Sequence, residues 1–325
     1  MYGRGIKEIV DKIDEYADGR RFHWVFIIFA RRIFLGDSVM SFFQNELYKY
    51  NRYERKQFWT ARFQKKQDKL WNSNDNSVLT CREKTNRTFK KFISRDWLYV
   101  PESSLHDFKN FIEKHHSFIL KKNWCAQGIG IEKVSLPDNL SEEELTNLYV
   151  KYKESFCMLE EIVRQHAKMK TLSKKSVNTI RVATYNNAGN VFVVATAIRC
   201  GKGKSVTDNL QGGGLCAAVD AKSGIIKSYG FDEQLDKYLL HPDTGAQILG
   251  FNIPHWNKVL ETAIEAHKLI PEIKWVGWDI AITEDGVELI EGNKCQGQHL
   301  ILTGNIGLHR RFRELGIKEN KLLFA

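Results

Sequence analysis

The spacing of apolar side chains divides the chain into two parts. Residues 1–75 place bulky aromatic and aliphatic side chains at helical intervals between lysines and arginines, and they contain no proline. After residue 76, β-branched and aromatic runs separated by turn residues become frequent. The loop-like composition of residues 72–77 lies at this change. We therefore predict a helical N-terminal region, 1–76, in front of an α+β protein.

The second part mixes strands with a few helices in no regular order. A capping box at residues 141–144 begins a helix that reaches about residue 154. The sequence has no regular βαβ alternation and no Gly-x-Gly-x-x-Gly motif, which disfavours a dinucleotide-binding domain. We divide this part into two subdomains, 77–160 and 161–325. The other predicted helices cover 105–115 and 254–269, and the predicted strands cover 117–121, 156–163, 177–185 and 191–200.

The clearest local signal lies at residues 277–293. Two short apolar runs flank an Asp-Gly pair, the arrangement that most favours a β-hairpin. In such a hairpin Asp279 lies close to Glu291 and Asn293, and the latter two share a face because side chains alternate along a strand. Two carboxylates and an amide oxygen form a hard, all-oxygen site suited to magnesium and nucleotide phosphates. An ordinary surface hairpin with polar ends is the alternative.

The basic charge of the chain is concentrated near its N-terminus. The formal net charge is +10, and residues 1–100 hold 21 Lys/Arg and 12 Asp/Glu, a net charge of +9. Three interpretations of the helical region are open: it lies on a membrane surface, binds an anionic partner, or covers the rest of the protein. We favour the third, because aromatic residues at helical spacing usually form core.

Several classes of protein are disfavoured by composition. No segment approaches the roughly 20 uninterrupted apolar residues of a membrane-spanning helix, since two arginines interrupt the best candidate, residues 22–35. That segment also lacks the cleavage site of a secretory signal. The 6 cysteines lie far apart with no Cys-x-x-Cys pair, which argues against a zinc site or a disulfide framework. We expect reduced thiols and a cytoplasmic protein.

Two lysines are candidates for binding phosphate. Lys121 ends an apolar strand directly before a turn that contains Gly128 and Gly130, where backbone N–H groups can approach an anion. Lys84, further upstream, is a weaker candidate. The alternative for Lys121 is a solvated lysine beside an ordinary loop.

The strand at residues 156–163 ends in Glu160, Glu161, Ile162 and Val163. A strand edge that leads into a linker can offer backbone donors and acceptors to an adenine ring, while an acid beyond it takes the ribose hydroxyls. From the residues alone, an exposed pair of glutamates is the preferred interpretation.

Two arginines interrupt apolar strands. A guanidinium at Arg181 is costly to bury unless it meets an anion, either a structural carboxylate or a phosphoryl group, and Arg199 raises the same question one strand later. Asn209 precedes three glycines, a pattern suited to a loop that approaches a ligand, although plain loop flexibility is the alternative.

The order of these signals resembles the ATP-grasp superfamily, and in particular the sugar-transfer-associated ATP-grasp proteins, relatives of the α-L-glutamate ligases. The resemblance runs from about residue 79 to 302, and the helical segment 35–60 also resembles the family's N-terminal region. It departs from the usual pattern at Lys122, where many members have proline, and at residues 294–297 after the metal asparagine. It is best at Ser-Phe-Ile-Leu-Lys (117–121), Ser-Val-Asn-Thr-Ile-Arg-Val (176–182), His-Pro-Asp-Thr-Gly (241–245) with 253–256, Gly-Trp-Asp (277–279) and Glu-Gly-Asn (291–293).

This resemblance implies an ATP-grasp fold in which two α+β subdomains clamp ATP with Mg²⁺. The implied catalytic residues are Lys121, Arg181 and Arg199. Lys84 and Lys121 would contact the phosphates near Gly128 and Gly130, residues 160–163 would hold adenine, Asn209 would approach the ligand, and Asp279, Glu291 and Asn293 would bind magnesium.

The expected activity is an ATP-dependent carboxylate–amine ligase that forms an amide through an acyl phosphate, on a sugar-linked, amino-acid or cell-envelope substrate, for example in polysaccharide biosynthesis. One alternative is a kinase that phosphorylates a hydroxyl. Another is a non-catalytic basic protein that binds nucleic acid or anionic lipid. For the ligase we expect small carboxylate and amine substrates and no nucleic acid, and the basic N-terminal region suits a peripheral contact with the inner membrane face.

Overall fold

The computed structural model describes residues 6–17, 20–72, 77–124, 130–203, 208–294 and 307–317. Gly128 and the residues after Lys294 up to 306 lie outside these ranges. The α-helices are α1 Ile6–Tyr16, α2 Arg21–Ala30, α3 Val39–Gln44, α4 Arg52–Arg55, α5 Ala61–Trp71, α6 Arg82–Thr88, α7 Leu105–Lys114, α8 Glu142–Glu154, α9 Ala167–Lys170, α10 Trp256–Lys268 and α11 Leu308–Glu314.

The strands form two antiparallel sheets. The smaller sheet has the order β1-β4-β2-β3, and the larger has the order β11-β10-β5-β6-β7-β8-β9. The predicted α+β fold class is confirmed, while the subdomain boundaries stay predictions. The strands are β1 Trp97–Tyr99, β2 Ser117–Lys122, β3 Ile131–Ser135, β4 Cys157–Glu161, β5 Thr179–Asn187, β6 Asn190–Cys200, β7 Leu215–Ala218, β8 Gly230–Phe231, β9 Lys237–Tyr238, β10 Trp275–Ile282 and β11 Val287–Asn293.

The smaller sheet packs against α7 and α8. Phe108 of α7 and Tyr152 of α8 are buried in one apolar cluster with Phe118 and Leu159 of the sheet. The capping box predicted at the start of α8 is confirmed, because the Ser141 side chain accepts a hydrogen bond from the backbone of the third helical residue and the reciprocal bond is present.

The larger sheet has two unlike faces. Ile180, Val182 and Trp278 point to one face and pack in a core cluster with α10. Alternate residues point to the other face, where Tyr185 and Trp275 pack with aromatic residues of α5 and α11. Further along the same strands, this second face carries the charged candidate residues. The alternation of side chains therefore separates an apolar core from a polar site on one sheet.

The N-terminal helices lie over the larger sheet. Phe42, Phe43 and Leu47 are buried in a cluster that includes Cys216 and Ala218 of β7. The interpretation that the N-terminal region covers the rest of the protein is therefore confirmed for α3. One side of α2 is nevertheless exposed. Among the described residues no helix is long and apolar enough to cross a membrane.

Residues 77–92 contact both sheets. Phe89, just after α6, packs edge-to-face on Trp278 of β10 with ring centroids 5.1 Å apart. Asn86 of α6 donates to Glu160 of β4 at 3.1 Å. The helix α6 therefore fixes the smaller sheet against the larger one close to the candidate residues.

Candidate active site

The predicted hairpin at residues 277–293 is confirmed, with β10 and β11 paired antiparallel. Asp279 lies directly opposite Glu291, and Asn293 lies opposite Gly277. Asn293 Nδ2 donates to Glu291 Oε1 at 3.2 Å and to Asp279 Oδ2 at 3.4 Å. The three side chains that we predicted to bind magnesium therefore lie together on one face.

Two arginines on the neighbouring strands bind the same aspartate. Arg181 of β5 is the register partner of Asp279 and contacts both of its carboxylate oxygens, with Nη2 2.7 Å from Oδ2. Arg199 of β6 donates to Asp279 Oδ2 at 2.7 Å and, through Nη2, to Asp208 Oδ1 at 2.7 Å. Of the two kinds of anion considered for Arg181, the structure shows a carboxylate.

We call the group Arg181, Arg199, Asp208, Asp279 and Glu291 the sheet cluster. Asp208 was not predicted as a site residue, although it directly precedes Asn209 in the glycine-rich loop. Its Oδ2 accepts from Thr179 N at 3.0 Å, and Thr179 is the register partner of Arg199. Asp208 therefore holds the Arg199 guanidinium by Nη2, while Asp279 holds it by Nη1.

The sheet cluster has an excess of negative charge. Two guanidiniums face three carboxylates, and in the described part of the chain Glu291 has no ion-pair partner. Burial opposes ionisation of Asp279, but Arg181 and Arg199 outweigh it and lower the pKa of Asp279 to about 2. Burial and the adjacent Asp279 carboxylate raise the pKa of Glu291 above its usual value. The donor set and the uncompensated carboxylate fit a divalent cation.

A second group of buried charges connects the two sheets. Lys121 Nζ of β2 lies 2.6 Å from Glu160 Oε2 of β4, and Arg95 Nε lies 2.9 Å from the same oxygen. Arg95 Nη1 also donates to Glu288 Oε1 and to the Leu289 carbonyl of β11, each at 2.8 Å. We call Lys121, Glu160, Arg95 and Glu288 the bridging cluster, since Arg95 connects the smaller sheet to the hairpin.

The bridging cluster overturns the exposed-pair interpretation of Glu160 and Glu161 and the solvated alternative for Lys121. The interpretation of Glu160 and Glu161 as an exposed pair is wrong, because Glu160 is buried and Glu161 is half-buried. Burial opposes ionisation of Glu160, but Arg95 and Lys121 overcome it and lower the pKa of Glu160 well below its usual range. Lys121 is likewise buried rather than solvated. Arg95 was missed because neither of its carboxylate partners is near it in sequence.

The remaining predicted nucleotide-binding residues lie around the bridging cluster. Gly130 has a left-handed backbone with φ +69°, and its carbonyl accepts from Lys122 N at 3.0 Å. Lys84 is on the exposed side of α6, the helix that bonds Glu160 through Asn86. Gly128 lies outside the described residues.

Ile162 and Val163 come directly after the last paired residue of β4. Both are half-buried, in the segment that leads from the smaller sheet to the larger one. Asn209 is half-buried in the loop after Asp208, and its carbonyl accepts from Gly212 N at 2.9 Å and Gly214 N at 3.0 Å. The structure therefore places the predicted adenine segment between the sheets and the Asn209 loop beside the sheet cluster.

Each cluster also contains a buried guanidinium N–H without a protein acceptor. Within the described ranges, Arg199 Nε and Arg95 Nη2 are buried and make no hydrogen bond. Leaving such a donor unsatisfied costs about 1–3 kcal/mol. An anionic ligand oxygen would satisfy it, and these donors occur in both clusters.

A cavity of about 530 Å³ is lined by residues of the segments that lead into β5 and out of β6. Lys174 and Lys175 line it, together with Asp243 and Thr244 of the His-Pro-Asp-Thr-Gly motif. Lys175 Nζ donates to the Gly203 carbonyl at 3.2 Å. Lys175 lies four residues before Thr179 in the sequence, and Gly203 lies four residues after Arg199, the register partner of Thr179.

The two sheets form an ATP-grasp fold. The smaller sheet carries the buried Lys121, and the larger one carries Asp279, Glu291 and Asn293 on one face. A model of the family described as sugar-transfer associated ATP-grasp matches residues 74–316, and the chain belongs to this family. Enzymes of the superfamily are generally ATP-dependent ligases, and they bind ATP with Mg²⁺. No curated protein matches the sequence.

Several solved structures of ATP-grasp enzymes are similar to the chain at low sequence identity. N5-carboxyaminoimidazole synthetase from Staphylococcus aureus with ADP has 12% identity and a TM-score of 0.42, over 71% of this chain and 52% of that chain. D-alanine–D-alanine ligase from Bacillus anthracis has 11% identity and a TM-score of 0.39, over 74% of this chain and 62% of that chain. The ATP-grasp ligase PsnB with a phosphomimetic variant of its minimal precursor, Mg and ADP has 12% identity and a TM-score of 0.39, over 70% and 53%. The chain spans less than two thirds of the length of each.

Proposed function

We propose that the protein is an ATP-dependent carboxylate–amine ligase that forms an amide through an acyl phosphate. The observation that carries this proposal is the sheet cluster, where Arg181 and Arg199 meet Asp279 beside the uncompensated Glu291. Membership of a superfamily of ATP-dependent ligases supports it.

The reaction has two steps. A carboxylate oxygen of the acid forms a bond to the γ-phosphorus, the bond from this phosphorus to the bridging oxygen breaks, and ADP leaves with the electron pair. The amine nitrogen then bonds to the acyl carbon, the bond from that carbon to the phosphate oxygen breaks, and phosphate leaves with the electron pair. The proton lost by the amine passes to solvent.

In this proposal the residues of the sheet cluster stabilise negative charge on the phosphoryl oxygens. Asp279, Glu291 and Asn293 would hold Mg²⁺, which supplies positive charge next to the phosphates. Arg181 and Arg199 keep Asp279 ionised, and Arg199 Nε has an N–H left to donate to an anionic oxygen. Such pre-positioned donors are worth most in a buried site, where little water competes with them.

The bridging cluster would hold Lys121 in place for the phosphates. Glu160 fixes the Lys121 ammonium at 2.6 Å, so that the lysine is ordered before the nucleotide binds. Adenine would bind against the backbone of residues 160–163, where the β4 ladder ends. Lys84 and Gly130 would lie on the phosphate side of the same site.

We place the acid substrate in the cavity lined by Lys174 and Lys175. Two lysines suit an anionic substrate, and Gly203 of the cavity lies in the segment that follows β6, the strand that carries Arg199. We extend the proposal to a sugar-linked or cell-envelope substrate, and so to a role in polysaccharide biosynthesis. The reason is the description of the family as sugar-transfer associated.

The test has two parts, of which the first needs no substrate. Titration calorimetry with Mg²⁺ and a non-hydrolysable ATP analogue should show binding that Glu291→Gln weakens at least tenfold. The matched control is Glu261→Gln, which removes an exposed charge on α10 and should bind like the wild type. Equal affinity for Glu291→Gln and the wild type would contradict the assignment of the metal site.

The second part measures ADP and free phosphate against a panel of amino acids and uronic acids, each with and without amines. A ligase releases both products only when the acid and the amine are present together. Transfer of phosphate to a hydroxyl, with ADP but no free phosphate, would show a kinase instead. A protein that binds RNA or lipid but no nucleotide would contradict both enzymatic functions.

A further inference from the structure

Helix α2 and the π-helical turn Arg31–Leu35 that continues it are apolar on two opposite sides. Trp24 and Ile28 are buried in the N-terminal core cluster, and the Trp24 ring lies 5.9 Å from the Phe42 ring. A helix that is apolar all round is normally buried on every side. Here only one side is buried, and the opposite side faces outward.

Four large apolar side chains form this outward side. The exposed fractions are 91% for Phe22, 73% for Phe26, 61% for Ile33 and 70% for Phe34. Phe22 and Phe26 are one helical turn apart, and Ile33 follows about two turns later, so they lie along one line. We call these four residues the α2 outer face. They are contiguous, whereas single exposed apolar residues elsewhere on the protein are ordinary.

Positive charge surrounds the α2 outer face. Residues 20–36 contain four arginines and no Asp or Glu. Arg20 and Arg32 are exposed at its two ends. Arg62 of α5 donates to the Phe34 carbonyl at 2.8 Å and to the Ile33 carbonyl at 2.9 Å, which places a further guanidinium beside these two side chains.

Two acids next to α2, among the residues that the structure describes, are already paired. Asp14 of α1 lies 2.6 Å from Arg21 Nε, and the buried Asp37 lies 2.6 Å from Arg31 Nη2. Within residues 20–37 the charge left unpaired is therefore positive. Exposed aromatic residues with arginines around them match the interface of an anionic lipid bilayer, where rings enter the headgroup region and arginines meet phosphate.

We propose that the α2 outer face docks the protein on an anionic membrane surface. The segment of α2 and the π-helical turn, Arg21 to Leu35, is shorter than the roughly 20 residues that a spanning helix needs, so it lies in the plane of the interface. Its buried side stays packed on Phe42, and docking requires no rearrangement of the core. This inference does not depend on the proposed ligase activity.

The experiment uses the full chain and lipid vesicles. Co-sedimentation is measured with phosphatidylcholine vesicles that contain about one third phosphatidylserine, and with pure phosphatidylcholine vesicles. We expect binding to the anionic vesicles that weakens as salt rises, and at least tenfold weaker binding to the neutral ones. Absence of binding to anionic vesicles would overturn the proposal.

Two double variants distinguish vesicle binding through the α2 outer face from nonspecific binding through exposed apolar side chains elsewhere. Phe22→Ser with Phe26→Ser should weaken binding to anionic vesicles by about tenfold or more, because two aromatic rings no longer enter the interface. The matched control is Val150→Ser with Leu269→Ser, which removes two exposed apolar side chains from other elements and should leave binding within about twofold. Equal loss in both double variants would overturn the proposal.

Two further measurements test the contribution of the arginines to vesicle binding and the self-association of the chain. Arg20→Gln with Arg32→Gln should weaken binding to anionic vesicles about 25-fold, at roughly fivefold per arginine, and leave binding to neutral vesicles unchanged. Sedimentation velocity should give the same mass for the wild type and the Phe22→Ser, Phe26→Ser variant. A wild-type dimer that this variant dissociates, without vesicle binding, would assign the α2 outer face to a second copy of the chain and overturn the proposal.

Discussion

The two buried charge clusters differ in the balance of their charges. In the bridging cluster, Lys121 and Arg95 face two carboxylates, Glu160 and Glu288. In the sheet cluster two guanidiniums face three carboxylates, and Glu291 is the one left over. Because an uncompensated buried charge is costly, a balanced cluster suits a structural role and an unbalanced one suits the uptake of a cation. Charge balance therefore separates the cluster that positions Lys121 from the cluster that takes up a cation.

The largest effect should come from breaking the bridging cluster. Arg95→Ala leaves Glu160 and Glu288 buried without their shared cation, and we expect a loss of about 3–5 kcal/mol in the free energy of unfolding, measured with urea. Arg87→Ala is the matched control, because Arg87 also pairs with two glutamates but is exposed, and it should lose less than about 1 kcal/mol. Similar losses for the two variants would show that burial of the bridging cluster contributes little.

The same substitution should have unlike effects in the two clusters. Glu160→Gln removes the charge that compensates Lys121 and Arg95, and we expect it to cost about 2 kcal/mol or more of unfolding free energy. Glu291→Gln removes a carboxylate from beside Asp279, so the metal-free protein should be as stable as the wild type or more stable. A loss of stability in Glu291→Gln equal to that in Glu160→Gln would contradict the comparison.

The pH dependence of stability should have opposite signs in the two clusters. The pKa of Glu160 is lowered by folding, so its stabilisation is complete above its usual value of 4.5 and is lost as pH falls through the lowered pKa. The pKa of Glu291 is raised by folding, so its stabilisation is present below 4.5 and is lost as pH rises through the raised pKa.

Urea unfolding of the metal-free protein at a series of pH values measures this difference. From pH 4.5 upward, the wild type should lose stability relative to Glu291→Gln, while its advantage over Glu160→Gln should stay constant. A constant difference between the wild type and Glu291→Gln across this range would mean that Glu291 is ionised normally in the folded protein.

The smallest effect should come from the cavity lined by Lys174 and Lys175. Lys174→Ala with Lys175→Ala should raise the KM for an anionic acid substrate by about threefold to tenfold, with kcat for ADP release nearly unchanged, because the lysines contact the substrate away from the reacting phosphorus. An unchanged KM together with a large fall in kcat would place these lysines in the catalytic step and not in substrate binding.

Local features of this site were predictable from the sequence. The Asp-Gly turn and the alternation of side chains predicted the hairpin that brings Asp279 opposite Glu291. The cost of burying a guanidinium predicted that Arg181 meets an anion. The lengths of α8 and α10 followed from apolar spacing, and the start of α8 from its capping box.

Long-range pairings were not predictable, since nothing local specifies them. Arg181 binds a carboxylate 98 residues away, and Arg95 connects to Glu288 across 193 residues. Glu160 was assigned to an exposed pair because its two cations lie on other elements. The apolar spacing of α2 was the same as that of a core helix, and only the packing showed which side is exposed.

We propose above all that Asp279, Glu291 and Asn293 hold a divalent cation next to the phosphates of ATP. The most direct measurement is a crystal structure with Mn²⁺ and a non-hydrolysable ATP analogue, in which anomalous scattering locates the metal. We predict an anomalous peak within bonding distance of oxygens of all three side chains, with the analogue's phosphates between it and Lys121. A peak bonded elsewhere, or an analogue bound away from β10 and β11, would show that these three side chains do not hold the metal.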